Sequence, residues 1–456
     1  MTGTARRGDL AYWSAAAVRA ALAGGELGAV EYLSALLERI HRADRHLHAF
    51  VSLAWEQALD AARQADLRRA AGVPLPALHG VPFAVKDLID VRGAPTSAHS
   101  RHPAEVASRT ALAVQRLQRQ GAIYLGKLAL EEFGIGSPLD DLPWPSPRNP
   151  WDPRRTAGGS SSGSAVAVAT GLVPLALGTD TGGSVRAPAA YCGLVGLKPT
   201  HGRISMRGVM PLAPTLDTIG PMARTAEDCA LMFAGLVAPK KRNEGLSASR
   251  IGVVDISADG LAVDADVADA MAAALKILQS LGARATGVEF PDLGKAREIG
   301  GTILRHEAYA THRDRLARAA DLYGAMCRSR LESGADVGLQ AYAKALEERE
   351  LLKASVDRLF AHADVLALPV TFGTAAAFDD PQALGRSGNV AFRLPFNATG
   401  HPAIVFCTGF NADGLPLSMQ LVGRRGEDER LLDLATAYQR ATSWHEMHPP
   451  LQASCA

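Results

Sequence analysis

Two short glycine- and serine-rich blocks constrain this chain more tightly than anything else in it. They are Ala157-Gly158-Gly159-Ser160-Ser161-Ser162-Gly163-Ser164-Ala165 and Gly178-Thr179-Asp180-Thr181-Gly182-Gly183-Ser184-Val185-Arg186. Glycine lets backbone N–H groups come close to a ligand, and the serines beside it supply hydroxyls. A flexible linker would not enclose the apolar run Ala165-Val166-Ala167-Val168-Ala169 and the strand-like Leu172-Val173-Pro174-Leu175-Ala176-Leu177 that separate the blocks. The pattern predicts one helix and one strand that hold two glycine turns as a constructed site.

With 456 residues, 47% of them hydrophobic and 21% charged, the chain can bury a large core. A formal net charge of +1 offers no electrostatic basis for binding nucleic acid or an anionic membrane. No apolar run reaches the roughly 18 residues of a membrane span. Arg6-Arg7 resembles the start of a twin-arginine signal, but Asp9 and Arg19 interrupt the apolar stretch such a signal needs. The five cysteines (Cys192, Cys229, Cys327, Cys407 and Cys455) are scattered and form no CxxC pair. That usage suits reduced thiols in a cytoplasmic protein and argues against a zinc or redox centre.

Helical periodicity is clear from 30 to 42 and from 55 to 71, and again from 111 to 120. Short apolar strands are expected at 78–87, 122–127, 251–254, 365–370, 403–406 and 417–421. Their alternation with helices predicts an α/β fold with a mixed, mostly buried sheet covered by helices. One domain over 1–456 is expected, with a catalytic core at about 75–225 and a charged helical section at about 264–363.

Three residues stand out chemically. Lys86 lies in Val81-Pro82-Phe83-Ala84-Val85-Lys86-Asp87, where burying a charge is costly. It is either a strand-end lysine paired with Asp87 or a desolvated base of lowered pKa. Ser184 follows two glycines whose turn would converge several N–H groups near one hydroxyl, as acyl transfer requires; the plain alternative is a strand-to-helix turn. Ser160 is either the N-cap of the following helix or a proton relay. Gly159-Ser160-Ser161-Ser162-Gly163 also fits G-x-S-x-G, but a nucleophile elbow needs a preceding strand, and Asn149–Arg155 makes a poor one. The His306-Glu307/His312 and His445-Glu446/His448 groups lack the spacing of a zinc-binding H-E-x-x-H helix, and the glycine blocks lack the Lys of a P-loop. Neither a metal nor a cofactor is expected.

These blocks, together with Lys86 in its Gly-Val-Pro-x-x-x-Lys-Asp context, resemble the amidase signature family. The likeness extends through Cys192–Arg203, Asp217–Thr225 and Gly414–Gly423, and so covers essentially the whole chain. It implies that Ser184 is the nucleophile, Ser160 the serine that follows a cis peptide bond, and Lys86 the base. The two serines are 24 positions apart, as in the family. The backbone N–H groups of Thr181, Gly182, Gly183 and Ser184 would form the oxyanion hole. One departure is Ser162, where the family more often has glycine.

The implied reaction is hydrolysis of a C–N acyl bond in a small amide, aryl amide or carbamate. An alternative is the A subunit of a glutamyl-tRNA amidotransferase, which usually carries a Ser-Ser-x-Glu-Asn-Ser stretch where this chain has Gly134-Ile135-Gly136-Ser137-Pro138-Leu139-Asp140-Asp141. A non-catalytic binding homologue is a third reading, against which the intact triad argues. Flanking segments suggest an apolar or aryl pocket of Leu142, Trp144, Arg203, Met206, Met210, Tyr309 and Phe396, with Arg203 and Arg207 as candidate carboxylate ligands. Homodimers are frequent in families of this kind and are one expected assembly.

Overall fold

The computed structural model describes residues 9–136, 138, 142–238 and 249–450. Arg6, Arg7, Ser137, Leu139, Asp140, Asp141 and Cys455, which figure in the sequence pattern, lie outside the described residues. The apolar segments become strands β1 (Phe50–Leu53), β2 (Pro82–Lys86), β3 (Pro95–Thr96), β4 (Glu105–Val106), β5 (Ile123–Leu128) and β6 (Leu175–Asp180). They continue as β7 (Val195–Lys198), β8 (Thr218–Ala223), β9 (Arg250–Val254), β10 (Arg284–Val288), β11 (Val365–Pro369), β12 (Ala403–Phe410) and β13 (Pro416–Gly423).

Strands β3 and β4 form a small ribbon, and the other eleven form one mixed sheet in the order β1-β5-β2-β6-β8-β7-β12-β13-β11-β9-β10. The segment β5-β2-β6 is parallel, the stretch from β6 through β11 antiparallel, and β11-β9-β10 parallel again. Every residue of β2, β5, β6, β8 and β11 is buried, which is why all of these but β8 hold the apolar runs legible in the sequence. The edge strands β1 and β10 are only partly covered.

Helix Ala29–Leu47 shows how the cover is made. Tyr32, Leu33, Leu36, Leu37, Ile40, Ala43 and Leu47 recur at helical spacing and face the core. Its first turn is fixed by Asp66, whose carboxylate accepts from the N–H groups of Ala29 (2.8 Å) and Val30 (3.1 Å). Helix Ser162–Ala169 is buried along its whole length and packs on β2, β6 and β8, so it sits inside the fold. Six strands (β1, β3, β4, β7, β8 and β10) are not among those expected from the sequence pattern, and β8 and β10 show why. In β8, Gly220 and Pro221 mask the strand signal; Pro221 has no ladder N–H, and β8 pairs with β7 only at Met222 and Ala223. In β10, an exposed edge, Arg284-Ala285-Thr286-Gly287-Val288 carries no apolar alternation, and it interrupts the section expected to be helical. No helix among the described residues is long and apolar enough to cross a membrane.

Candidate active site

Lys86 ends β2, and successive strand residues point to opposite faces, so its side chain and that of Asp87 diverge. Asp87 is satisfied elsewhere: it accepts from Lys127 Nζ (2.8 Å), from the Ser97 N–H (2.9 Å) and from Ser97 Oγ (2.5 Å). Lys86, fully buried, donates instead to Ser160 Oγ (2.7 Å) and Thr179 Oγ1 (2.9 Å). Burial pushes Lys86 down to about 7, outweighing the opposing pull of Glu131, Asp180 and Asp217. An amine so placed changes protonation state near neutral pH.

Ser160 follows a cis peptide bond from Gly159. Its carbonyl accepts from the Glu131 N–H (3.1 Å), and a Cβ on Gly159 would overlap the Glu131 carboxylate. The helix starts at Ser162, so the N-cap is Ser161 and not Ser160. Ser161 Oγ bridges to β6, donating to the Thr179 carbonyl (3.2 Å) and accepting from its N–H (3.3 Å). Ahead of Ser160 the chain makes only isolated bridges, at Arg155 and Thr156, in place of the strand an elbow would need.

The turn that carries Ser184 is organised by Asp180, the last residue of β6. Its carboxylate accepts from the N–H groups of Gly183 (2.8 Å) and Val185 (3.2 Å). Arg186 clasps it with Nη2 and Nε, both at 3.0 Å, and Asn397 Nδ2 adds a bond of 2.8 Å. Burial alone would raise the Asp180 carboxyl, but Arg186 and Asn397 hold it well below the usual carboxylate range. The carbonyl of Ser184 accepts from the Ser161 N–H (3.1 Å), so the two serine blocks are stitched together.

Asp180 also corrects the expected oxyanion set. The Gly183 N–H is committed to its carboxylate, whereas among the described residues no acceptor takes the N–H of Thr181, Gly182 or Ser184. Gly183 has φ +117°, and a Cβ there would overlap the Arg393 side chain, so the turn closes only on glycine.

Sequence reasoning missed Asp217. Thr181 Oγ1 donates to it at 2.6 Å, and it accepts from the N–H groups of Leu212 (2.9 Å) and Ala213 (3.1 Å). It thereby ties the turn that carries Ser184 to the loop that precedes β8. Burial pushes its carboxyl up to about 6, against the pull of those three donors. Asp217→Ala is expected to release both segments and lower kcat on the order of 10²-fold, the cost of a displacement of about 1 Å at a reacting centre. Steady-state kinetics of the variant on any turned-over amide checks this, and an unchanged kcat would refute it.

The site's walls are apolar. A side chain at Gly182 would meet Leu394, Leu304 and Val390 at 3.7–3.9 Å. One at Gly134 would meet Leu88 (3.4 Å), Ser160 Oγ (3.5 Å) and Leu212 (3.9 Å). Of the residues expected in a pocket, Leu142, Met206, Met210 and Tyr309 are half-buried; so is Trp144, which stacks on His99 with ring centroids 5.5 Å apart. Two expectations are corrected. Arg203 forms an ion pair with Glu429 (2.9 Å) and is held towards helix Asp428–Arg440. Phe396 is fully buried, edge-on to Phe290 with centroids 5.8 Å apart, and belongs to the core.

The profile of the family described as Amidase matches residues 31–432. The chain belongs to the amidase signature family. It is therefore an amidase, a hydrolase of C–N bonds. Among curated proteins, this amidase is similar to the A subunit of the glutamyl-tRNA(Gln) amidotransferase of Chloroflexus aggregans, at 37% identity over 97% of this chain and 99% of that protein. Among solved structures it is similar to a chain from the vestigial protein complex that reveals the evolutionary origins of an s-triazine catabolic enzyme. That likeness has a TM-score of 0.87 and 30% identity, covering 97% of this chain and 100% of the other. The peptide amidase of Stenotrophomonas maltophilia is similar at TM-score 0.83 and 28% identity, covering 99% and 100% of the two chains.

Proposed function

We propose that this amidase is a self-sufficient hydrolase of uncharged amides or carbamates bearing an apolar group, with Ser184, Ser160 and Lys86 as its catalytic triad. The observation that carries the triad is the 2.7 Å bond from a fully buried Lys86, poised at about 7, to Ser160 Oγ. Ser184 Oγ attacks the acyl carbon; its proton passes to Ser160 Oγ as the Ser160 proton passes to neutral Lys86. The oxyanion is held by the N–H groups of Thr181, Gly182 and Ser184. As the C–N bond breaks, the Lys86 ammonium returns its proton through Ser160 to the leaving amine. Water then repeats the sequence on the acyl-enzyme and frees the acid. Among the described residues Ser184 Oγ makes no hydrogen bond to protein, and such a catalytic contact commonly tightens only when substrate binds.

The apolar walls around Gly182 and Gly134 support an uncharged substrate, and the engagement of Arg203 by Glu429 removes one candidate cation for a carboxylate. The described cysteines are buried free thiols, which supports a cytoplasmic setting. A second reading, the glutaminase half of an amidotransferase, is supported by the 35–37% identity to proteins that bear that name. Amine or ammonia release by the purified chain on benzamide, an acetanilide, an aryl carbamate, malonamate and glutamine separates the two. Turnover of an aryl amide or carbamate is expected; turnover of glutamine alone would replace the first reading with the second.

A further inference from the structure

Three segments meet at a cleft that includes none of the catalytic residues. Its volume is about 590 Å³, and its lining includes Arg92, Arg109, Arg207, Ser108, Thr110 and Asp90. The walls are fixed by backbone bonds: Asp90 N–H to the Gly208 carbonyl (2.9 Å), Ala111 N–H to the Asp90 carbonyl (2.9 Å) and Leu112 N–H to the Arg207 carbonyl (3.1 Å). The Arg92 N–H adds a bond to Thr110 Oγ1 (3.0 Å). Gly208, at φ +80°, lets these segments close up, since a Cβ there would stand 2.7 Å from Ala111 Cα.

The guanidinium groups on this fixed frame are unengaged. Among the described residues none of the exposed Arg92, Arg109 and Arg207 makes an ion pair or a guanidinium hydrogen bond. The one lining acid, Asp90, already accepts from Thr96 Oγ1 (2.8 Å). Three arginines and one carboxylate thus line a cleft whose backbone frame is fixed by hydrogen bonds.

We infer that this cleft is a binding site for a phosphoryl group carried by a small molecule. A carboxylate presents two oxygens and one charge, whereas three forked cations with two hydroxyls offer enough donors for the three oxygens and near-double charge of a phosphoryl group. The volume exceeds what a bare phosphate needs, which favours a phosphomonoester over free phosphate. Arg207 and Gly208 continue into Leu212 and Asp217, so an occupant bears on the loop that walls the nucleophile.

Isothermal titration calorimetry of the full chain with phenyl phosphate, inorganic phosphate and malonate, at matched ionic strength, tests the inference. Saturable binding of phenyl phosphate is expected, tighter than malonate and weakened at least about tenfold in Arg92→Gln/Arg109→Gln, whose exposed positions leave amide turnover unchanged. Tighter binding of inorganic phosphate than of phenyl phosphate would keep the phosphoryl site but make the free ion its ligand. No saturable binding of either phosphate, equal binding by the variant, or malonate bound as tightly would overturn it. A Ser184→Ala protein is expected to bind as wild type does, so the result stands apart from the catalytic reading.

Discussion

Ser184→Ala and Lys86→Met are each expected to lower amide turnover on the order of 10⁴- to 10⁶-fold, and the double variant no further, because groups that act as one relay fail together. Residual rate would come from the N–H groups proposed to hold the oxyanion. In the proposed relay the active form of Lys86 is neutral. Since its folded pKa is about 7, kcat/KM should fall about tenfold per pH unit below that value and level off above it. Stability follows the same titration with a definite sign. An unfolded lysine keeps its proton to about 10.4, so between about 7 and 10.4 the unfolded chain binds a proton that the native chain lacks, and this group makes folding more favourable as pH rises. Below about 7 the native chain buries a full charge. Lys86→Met should therefore be at least as stable as wild type at about pH 6 while inactive, a separation that simple misfolding cannot produce. Lys198 supplies the control. Burial pushes it down to about 7 as well, but its Nζ donates to the Pro199 carbonyl at 2.9 Å and not to Ser160. Lys198→Met should retain the acid limb of the rate profile. If the limb disappears there and persists in residual Lys86→Met activity, Lys86 is not the base.

The three buried lysines show what a sequence can and cannot say about this site. Lys86, Lys127 and Lys198 all end or interrupt apolar strands and look alike along the chain. Only the sheet order gives Lys127 the Asp87 carboxylate and leaves Lys86 with hydroxyls alone. The glycine blocks, the helix between them and most interior strands were legible because their signals are local: apolar runs bounded by glycine turns. Pro221 hid β8 for an equally local reason, since proline ordinarily marks the end of a strand. The pocket was less legible because its partners are distant in sequence. Leu304, Val390 and Leu394 reach Gly182 from two helices and the loop between strands β11 and β12, and Glu429 takes Arg203 from the far end of the chain. The capture of the Gly183 N–H by Asp180 spans three residues, yet it depends on a carboxylate orientation fixed by Asn397.

Arg186→Met is expected to destabilise the fold by about 3–5 kcal/mol and to silence the enzyme, because it strands Asp180 as a buried, uncompensated charge. The guanidinium also donates to the Arg393 carbonyl (2.9 Å) and to Asn397 Oδ1 (2.6 Å), so three elements lose a shared partner. The pH dependence identifies the cause. With Arg186 present the folded Asp180 pKa lies below its unfolded value, so this carboxylate contributes stability above about pH 4 that is lost as pH falls through the folded value. Without Arg186, burial dominates and raises the folded pKa, so the variant should gain stability on mild acidification where the wild type does not. Denaturant unfolding at about pH 5 and pH 7 measures both limbs. Asp180→Asn/Arg186→Met removes both charges and should recover much of the lost stability. It should recover little activity, because a neutral amide holds the Gly183 and Val185 N–H groups less firmly than a carboxylate does. Recovery of kcat together with stability would show that the ion pair serves the fold alone. Recovery of stability without kcat would make Asp180 and Arg186 positioning residues, acting on Ser184 through the turn they hold.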